Sequence, residues 1–411
     1  MREEFINDVK RKILAGEELG RRAVQKLYNI SEGEARIVLE IAKYLAKKEK
    51  EGEFKHFKEA VAKIKKKEEK KEKQEEFLLQ LLANAVKSFE PPQITQKIKY
   101  GRGKGEETAI ILLSDWHIGE TVKPELIQGL NAYNTKIAGA RLEYFVDKAV
   151  ELIELQRSYT VIETAVVWLG GDIVSGLIHD ELLKNADLTV IEQVAVAGYL
   201  LAQVIAELST VFKRVKVITT VGNHGRMTKK YEFKNKSIES LDYLAYQICA
   251  FALRNYKNVE MHVSKNIFLF EDVNGWRFVF SHGDETKSWA SIPFYGLKRD
   301  FANKQVLNAF TGRFSQPVQP VNYKVVGHFH ITGLLPEGAG YVIMNGSLKG
   351  IDEYAFAKGL FTRPSQFMFG VHKEYGITWN YAVWLDNFLI KREEPKRFIT
   401  DLPDTWAELS L

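Results

Sequence analysis

A single cysteine, Cys249, occurs among the 411 residues, inside the apolar run LDYLAYQICAFAL. An internal disulfide is therefore excluded, and so is a cluster of thiolates on a metal. No stretch of eighteen or more apolar residues occurs, and the opening MREEFINDVKRKIL lacks the apolar core of a secretion signal. The expectation is a cytoplasmic protein with no membrane partner. The excess of one charge sign is also small: the formal net charge is +5, which permits attraction to phosphate backbones without requiring it. At 45% hydrophobic and 27% charged residues, the chain has enough apolar content to fold around a sizeable core.

The front of the chain differs from the rest. Residues 1–47 read as short helices: RRAVQKLYN, a break at Ile30-Ser31, then EGEARIVLEIAKYLAKK with apolar residues at helical spacing. Ser31 and Glu34 have the spacing of a capping box. Two helices joined this way resemble a helix-turn-helix, whose second helix enters the DNA major groove; a helical hairpin that packs on a neighbour is the alternative. Residues 48–90 continue as a densely charged helix or brief coiled coil, with Phe54, Phe57, Val61 and Ile64 as its seam, and Pro91-Pro92 stops the helical pattern. A linker over 91–107, a main domain over 108–392 and a tail over 393–411 complete the division. The helical front could contact DNA or join copies of the chain.

From Thr108 on, strand-like and helix-like segments alternate, which predicts an α/β architecture. AIILLSD, TAVVWLGGD and RVKVITTVGNH are apolar runs that each end in polar residues, and helical patterns follow near 136–156, 188–209 and 237–254. IFLFEDV and WRFVFSH flank Asn274-Gly275, a dipeptide suited to a tight hairpin. YKVVGHFH, GYVIMNGS and ITWNYAVWLD are the later strand candidates.

Five strand ends carry residues able to bind metal, and in open α/β sheets ligands collect at carboxyl ends of strands. Asp115 and His117 lie two apart, so an extended backbone would turn both to one face, away from Trp116. Asp172 follows two glycines that let backbone approach closely, and its carboxylate can bridge two cations. Asn223 and His224 end the third run, His282 ends WRFVFSH, and His328 and His330 repeat the two-apart spacing. Five of nine histidines occupy such positions. Together they point to metal rather than to scattered structural histidines.

In order, LSDWHIG, GGD, GNH, SHGD and GHFH resemble the motifs of calcineurin-like metallophosphoesterases, over about residues 108–350. The opening DxH is similar to that of the DNA double-strand-break repair nuclease branch, and GDIVSGLIHDE, GNHGRMTKK and NGSLKGIDEY resemble phage- and prophage-encoded members. The resemblance implies an α/β/β/α sandwich behind a small all-α region. It implies one cation on Asp115, His117, Asp172 and His330, and another on Asp172, Asn223, His282 and His328, with His224 as the catalytic histidine near the leaving group. Two departures stand out: Gly225 and Arg226 follow GNH where an acidic residue is common, and His179 lies seven positions past Asp172 where the nucleases place a histidine sooner.

Two cations can lower the pKa of a water shared between them and neutralise charge on a phosphoryl group. Nitrogen and oxygen donors suit Mn²⁺, Fe²⁺ or Zn²⁺, and the likeness to the nucleases favours Mn²⁺. The resulting expectation is a metal-dependent DNA nuclease or phosphodiesterase. Arg226, Lys229, Lys230 and His179 are candidates for substrate contacts, and Trp289, Phe294 and Tyr295 for base stacking. The alternatives are a phosphomonoesterase or nucleotide phosphatase with a helical oligomerisation region, and a DNA-binding regulator with a vestigial site.

Overall fold

The computed structural model describes residues 2–51, 105–178, 186–287, 293–311, 319–338 and 340–402. The chain divides into two compact units, Met1–Gln80 and Leu81–Leu411. In the first, helices α1 (Arg2–Leu14), α2 (Arg21–Tyr28) and α3 (Glu32–Glu51) share a small core of Val9, Val24, Val38, Leu39 and Ala42. Asn29 ends α2 in the left-handed region at φ 50°, which an Asn tolerates better than most residues. Ser31 then starts α3: its hydroxyl accepts from the Glu34 N–H at 3.3 Å, and its own N–H donates to the Glu34 carboxylate at 3.1 Å. Helix α3 continues past residue 47 to Glu51, and most of the charged helix and linker expected over 48–107 falls outside the described residues.

The second unit is built on two mixed sheets. The first has the order β11-β10-β1-β2-β3-β4, where β1 is Glu106–Leu113, β2 Val161–Leu169, β3 Arg214–Thr219, β4 Val259–His262, β10 Ser365–His372 and β11 Gly376–Trp384. Strands β1 to β4 run parallel, and β10 is antiparallel to both its neighbours. The second sheet has the order β5-β6-β7-β9-β8, from β5 (Phe268–Val273), β6 (Trp276–Ser281), β7 (Tyr323–Val326), β8 (Gly333–Glu337) and β9 (Gly340–Met344). Asn274 and Gly275 join β5 to β6 with φ of 51° and 85°, the two positive values that a twisted two-residue hairpin needs.

The alternation of side chains along each strand decides how the layers stack. Ile110, Leu112, Val166, Trp168 and Ile218 of the first sheet meet Phe278, Phe280, Val325 and Ile343 of the second in one dry core. On the other face of the second sheet, Val279, Val326, Val342 and Met344 pack on Leu297 and Phe301 of α7 (Phe294–Thr311). Helices α4 (Thr135–Gln156), α5 (Val190–Ser209) and α6 (Leu241–Ala252) cover the first sheet, and the unit is an α/β/β/α sandwich. By length and composition α5 could cross a membrane, but most of it is buried in this unit. Two short helices, α8 (Glu353–Lys358) and α9 (Asn387–Ile390), lie near the end.

Two expectations change here. Strand β10, which the sequence reading passes over, lies between β11 and β1 in the first sheet and is buried on both faces, so its residues show no alternation to read. The segment expected as a tail is docked as far as Thr400. The N–H groups of Lys396, Arg397 and Phe398 all donate to the Glu143 carboxylate of α4, which has no exposed surface, and Ile399 N–H donates to Gln203 of α5 at 2.8 Å.

Candidate metal centre

Parallel strands place their carboxyl ends on one edge, so the ends of β1, β2, β3, β6 and β7 gather the seven candidate ligands. The backbone there is not the extended one expected for the two-apart pairs. Asp115, His117, Asp172, His328 and His330 have φ of 57°, 52°, 51°, 65° and 56°, all in the left-handed region. Each such residue costs of order 1–3 kcal/mol, and strain of this kind persists where the surrounding structure fixes it. Hydrogen bonds do so here: Asp115 N–H donates to Gly171 O at 2.9 Å and His117 N–H to Asp172 O at 3.0 Å, which ties the loop after β1 to the loop after β2. Trp116, between the pair, is fully buried.

The side chains form three overlapping groups whose ligand atoms lie within 4.8 Å of one another: Asp115, His117 and His330; His117, Asp172 and His224; Asp172, His282 and His328. His117 Nε2 and His330 Nε2 face each other at 3.2 Å, and His330 Nε2 is 3.4 Å from Asp115 Oδ1. Donors that are each about 2.1 Å from one ion sit roughly 3.0–3.4 Å apart, so these spacings fit a shared cation. His282 Nε2 lies 3.0 Å from Asp172 Oδ2. Asn223 Oδ1 is buried and has no hydrogen-bond partner among the described residues. Leaving such an atom unpaired costs about 1–3 kcal/mol, a cost that a bound cation would remove. The donor set therefore fits divalent metal.

Surrounding groups set ring orientations and charge. His282 Nδ1 donates to Gly170 O at 2.7 Å, which turns Nε2 toward Asp172. Burial disfavours a proton on His282, yet Asp172 and Asp115 outweigh it and lift the imidazole to about 10 in the metal-free pocket. His328 goes the other way, pushed by burial and then by His282 down to about 4. Burial also holds His117 well below its ordinary range, with Lys349 adding to the effect. Asp172 is kept well below the usual carboxylate range by His282 and His224, against the opposing effect of burial. Asp115 is held by the Ser114 hydroxyl and by the His328 N–H at 3.0 Å. From the turn after β9, Ser347 Oγ and Leu348 N–H donate to Asp115 O at 2.9 and 3.0 Å, so NGSLKG braces the first ligand.

Solved structures similar to this chain include an archaeal phosphodiesterase, at 12% identity over 67% of this chain and 99% of that one, TM-score 0.29. Vps29 complexed with zinc, from Entamoeba histolytica, is 12% identical over 68% and 99%, TM-score 0.25. A hypothetical protein from Pyrococcus horikoshii is 14% identical over 69% and 91%, TM-score 0.32. No family model and no curated protein matches the chain. Likeness at this level bears on neither substrate nor mechanism.

The structure separates the other candidates. The Arg226 guanidinium is turned into its own loop, donating to Thr228 O, Asn223 O and Lys229 O at 3.0, 3.1 and 3.4 Å, so it shapes the loop instead of standing free as a phosphate clamp. Lys229 and Lys230 are exposed on that loop, and His179 and Trp289 lie outside the described residues. His224 Nδ1 pairs with Ser175 O at 3.0 Å, and its ring stands edge-on to His117 with centroids 4.5 Å apart.

Three functional groups escape a reading by motif. Glu120 Oε2 is 3.8 Å from His117 Nδ1, both atoms otherwise unpaired, and Lys349 Nζ holds the other carboxylate oxygen at 2.8 Å. The third, Asp242, sits fully buried in the first turn of α6 and accepts from the N–H groups of Asp172, Ile173 and Gly222 at 3.0, 3.0 and 2.9 Å. It thereby pins the GGD and GNH loops to each other. A side chain at Gly225 would enter this space, its Cβ 2.7 Å from Ser240 Oγ and 3.0 Å from Asp242 Cγ. The space beside Gly225 is thus filled by the Asp242 carboxylate and the Ser240 hydroxyl. The one sequence signal for Asp242 is the cap Ser240 before it at the opening of an apolar helix. Asp242→Ala should weaken Mn²⁺ binding about 10- to 100-fold, because the loops that present Asp172 and Asn223 lose their common anchor; calorimetric titration of the metal-free protein measures it.

Proposed function

We propose that this chain is a dinuclear metallophosphoesterase that cleaves phosphodiester bonds of nucleic acid, DNA above all. The observation that carries the reading is that two separate ligand groups, Asp115–His117–His330 and Asp172–His282–His328, adjoin where His117 and Asp172 come within 4.8 Å of each other, which suits two neighbouring cations better than one. Asp115, His117 and His330 would hold one ion and Asn223, His282 and His328 the other, with Asp172 between them, and Mn²⁺ is the favoured metal for a set of nitrogen and oxygen donors. Such ions supply an activated water and neutralise charge that develops on the phosphoryl oxygens.

The chain's own residues contribute the rest. Ser175 O orients the His224 ring through Nδ1, and the imidazole would carry a proton to the departing oxygen. Lys349 holds Glu120 beside His117, and Asp242 holds the loop of Asp172. A diester of nucleic acid as substrate is favoured by the cations of the loop after β3 and by the three-helix front, which carries Arg21, Arg22 and Lys26 on α2.

Rates with Mn²⁺ on single- and double-stranded DNA, on bis(p-nitrophenyl) phosphate and on p-nitrophenyl phosphate decide the substrate class. Cleavage of DNA with the diester turned over at least tenfold faster than the monoester is expected. Fast monoester turnover with intact DNA would assign the same site to a phosphatase.

A further inference from the structure

The segment that leaves the metal centre after His224 is an unusual surface loop. Between Arg226 and Glu239 it carries five cations, Arg226, Lys229, Lys230, Lys234 and Lys236, against two acids, Glu232 and Glu239. It also turns large apolar side chains to water: Met227 is 67% exposed and Phe233 66%. A loop that exposes such residues normally collapses onto something or is loose, and this one is neither.

Arg226 closes the first half on three carbonyls, as described above. In the second half the buried Lys236 ammonium pairs with both oxygens of Asp284, at 2.7 and 2.6 Å, and donates to the Tyr231 hydroxyl at 3.1 Å. Asp284 belongs to the turn that begins with His282, so the loop is fastened to the metal centre at both ends. Tyr231 and Phe233 stand edge to face with centroids 4.8 Å apart.

Two clefts flank this loop. The first is lined by the candidate ligand Asn223 together with Arg226, Met227, Tyr231 and Lys234, and by the acids Glu232 and Glu239. The second is a groove of about 900 Å³ between the loop and the edge strand β5, lined by Phe233, Phe268, Phe270, Lys265 and Arg277, with Glu271 as its acid. Lys236 lines both. Aromatic rings interleaved with cations along a groove are what an unpaired strand needs: bases stack on the rings while ammonium groups follow the phosphates. A duplex offers no free base faces to Phe233, and the exposed Lys229, Lys230 and Lys234 suit a polyanion.

We propose that the loop Arg226–Glu239 and the groove beside β5 hold a single-stranded stretch of nucleic acid next to the phosphodiester at the metal centre. This rests on the nucleic-acid reading above, and it adds the strandedness of the substrate and the surface that reads it.

The test compares kcat/KM for a fluorescein-labelled single-stranded oligonucleotide with that for bis(p-nitrophenyl) phosphate, in the full chain with Mn²⁺. In Phe233→Ala the ratio of the two should fall about tenfold, the order of one lost base stack. In Lys230→Ala/Lys234→Ala the slope of log KM against log salt should shrink by about 1.4, for two lost phosphate contacts. A ratio within twofold of the parent in Phe233→Ala, with an unchanged salt slope in the double variant, overturns the assignment of this groove and leaves the nuclease reading standing. A parent that hydrolyses bis(p-nitrophenyl) phosphate but cleaves no oligonucleotide removes both.

Discussion

Asp172→Asn should retain no more than a trace of bound manganese and hydrolyse bis(p-nitrophenyl) phosphate about 10³-fold more slowly, equivalent to about 4 kcal/mol in the barrier. The size of the effect follows from position. Asp172 belongs to two of the three ligand groups, its Oδ2 is 3.0 Å from His282 Nε2, and its Oδ1 accepts the His224 N–H at 2.7 Å. Removing its charge leaves buried imidazoles without the anion that offsets a cation, while an amide nitrogen would face donors. Metal content after loading and desalting, beside the hydrolysis rate, checks this outcome. Full metal content with a slow rate would assign Asp172 to chemistry and not to binding.

Loading also moves a proton. In the metal-free protein His282 keeps its proton up to about pH 10, chiefly because of Asp172. A cation taking Nε2 must displace it, so binding releases a proton and strengthens as pH rises toward that value.

His224→Ala is the second large effect, and its signature is the opposite one. Metal content should stay near the parent's, because His224 lies beside the ligands with its Nδ1 already committed to Ser175 O. Turnover should fall about 10²- to 10⁴-fold, the range for losing a positioned general acid. The loss should be smallest for diesters with good leaving groups, such as p-nitrophenolate, which depart without a proton, and largest for DNA. An equal loss on both would mean that the imidazole stabilises charge instead of protonating the leaving oxygen.

Much of this was legible in the sequence because short-range chemistry encodes it. Asn274-Gly275 demands the hairpin it forms, and Ser31 with Glu34 caps α3 as their spacing implies. The candidate ligands, from Asp115 to His330, stand out because each follows an apolar run whose end topology fixes. What was not legible depends on contacts between distant segments. The left-handed backbones of Asp115, His117, His328 and His330 replace the extended geometry that their spacing suggests, since loop-to-loop hydrogen bonds override local preference. Buried on both faces, β10 offers no alternation to read. Asp242 and Glu120 acquire their roles only when folding brings α6 and the loop after β1 to the centre, and Arg226 looks like a clamp until its partners are seen.

Anomalous diffraction from a manganese-loaded crystal, recorded above and below the metal edge, addresses the central claim most directly. Two peaks about 3.5–4 Å apart are expected, one beside Asp115, His117 and His330, the other beside Asn223, His282 and His328, with Asp172 reaching both. A single peak, or none among these side chains, would contradict it.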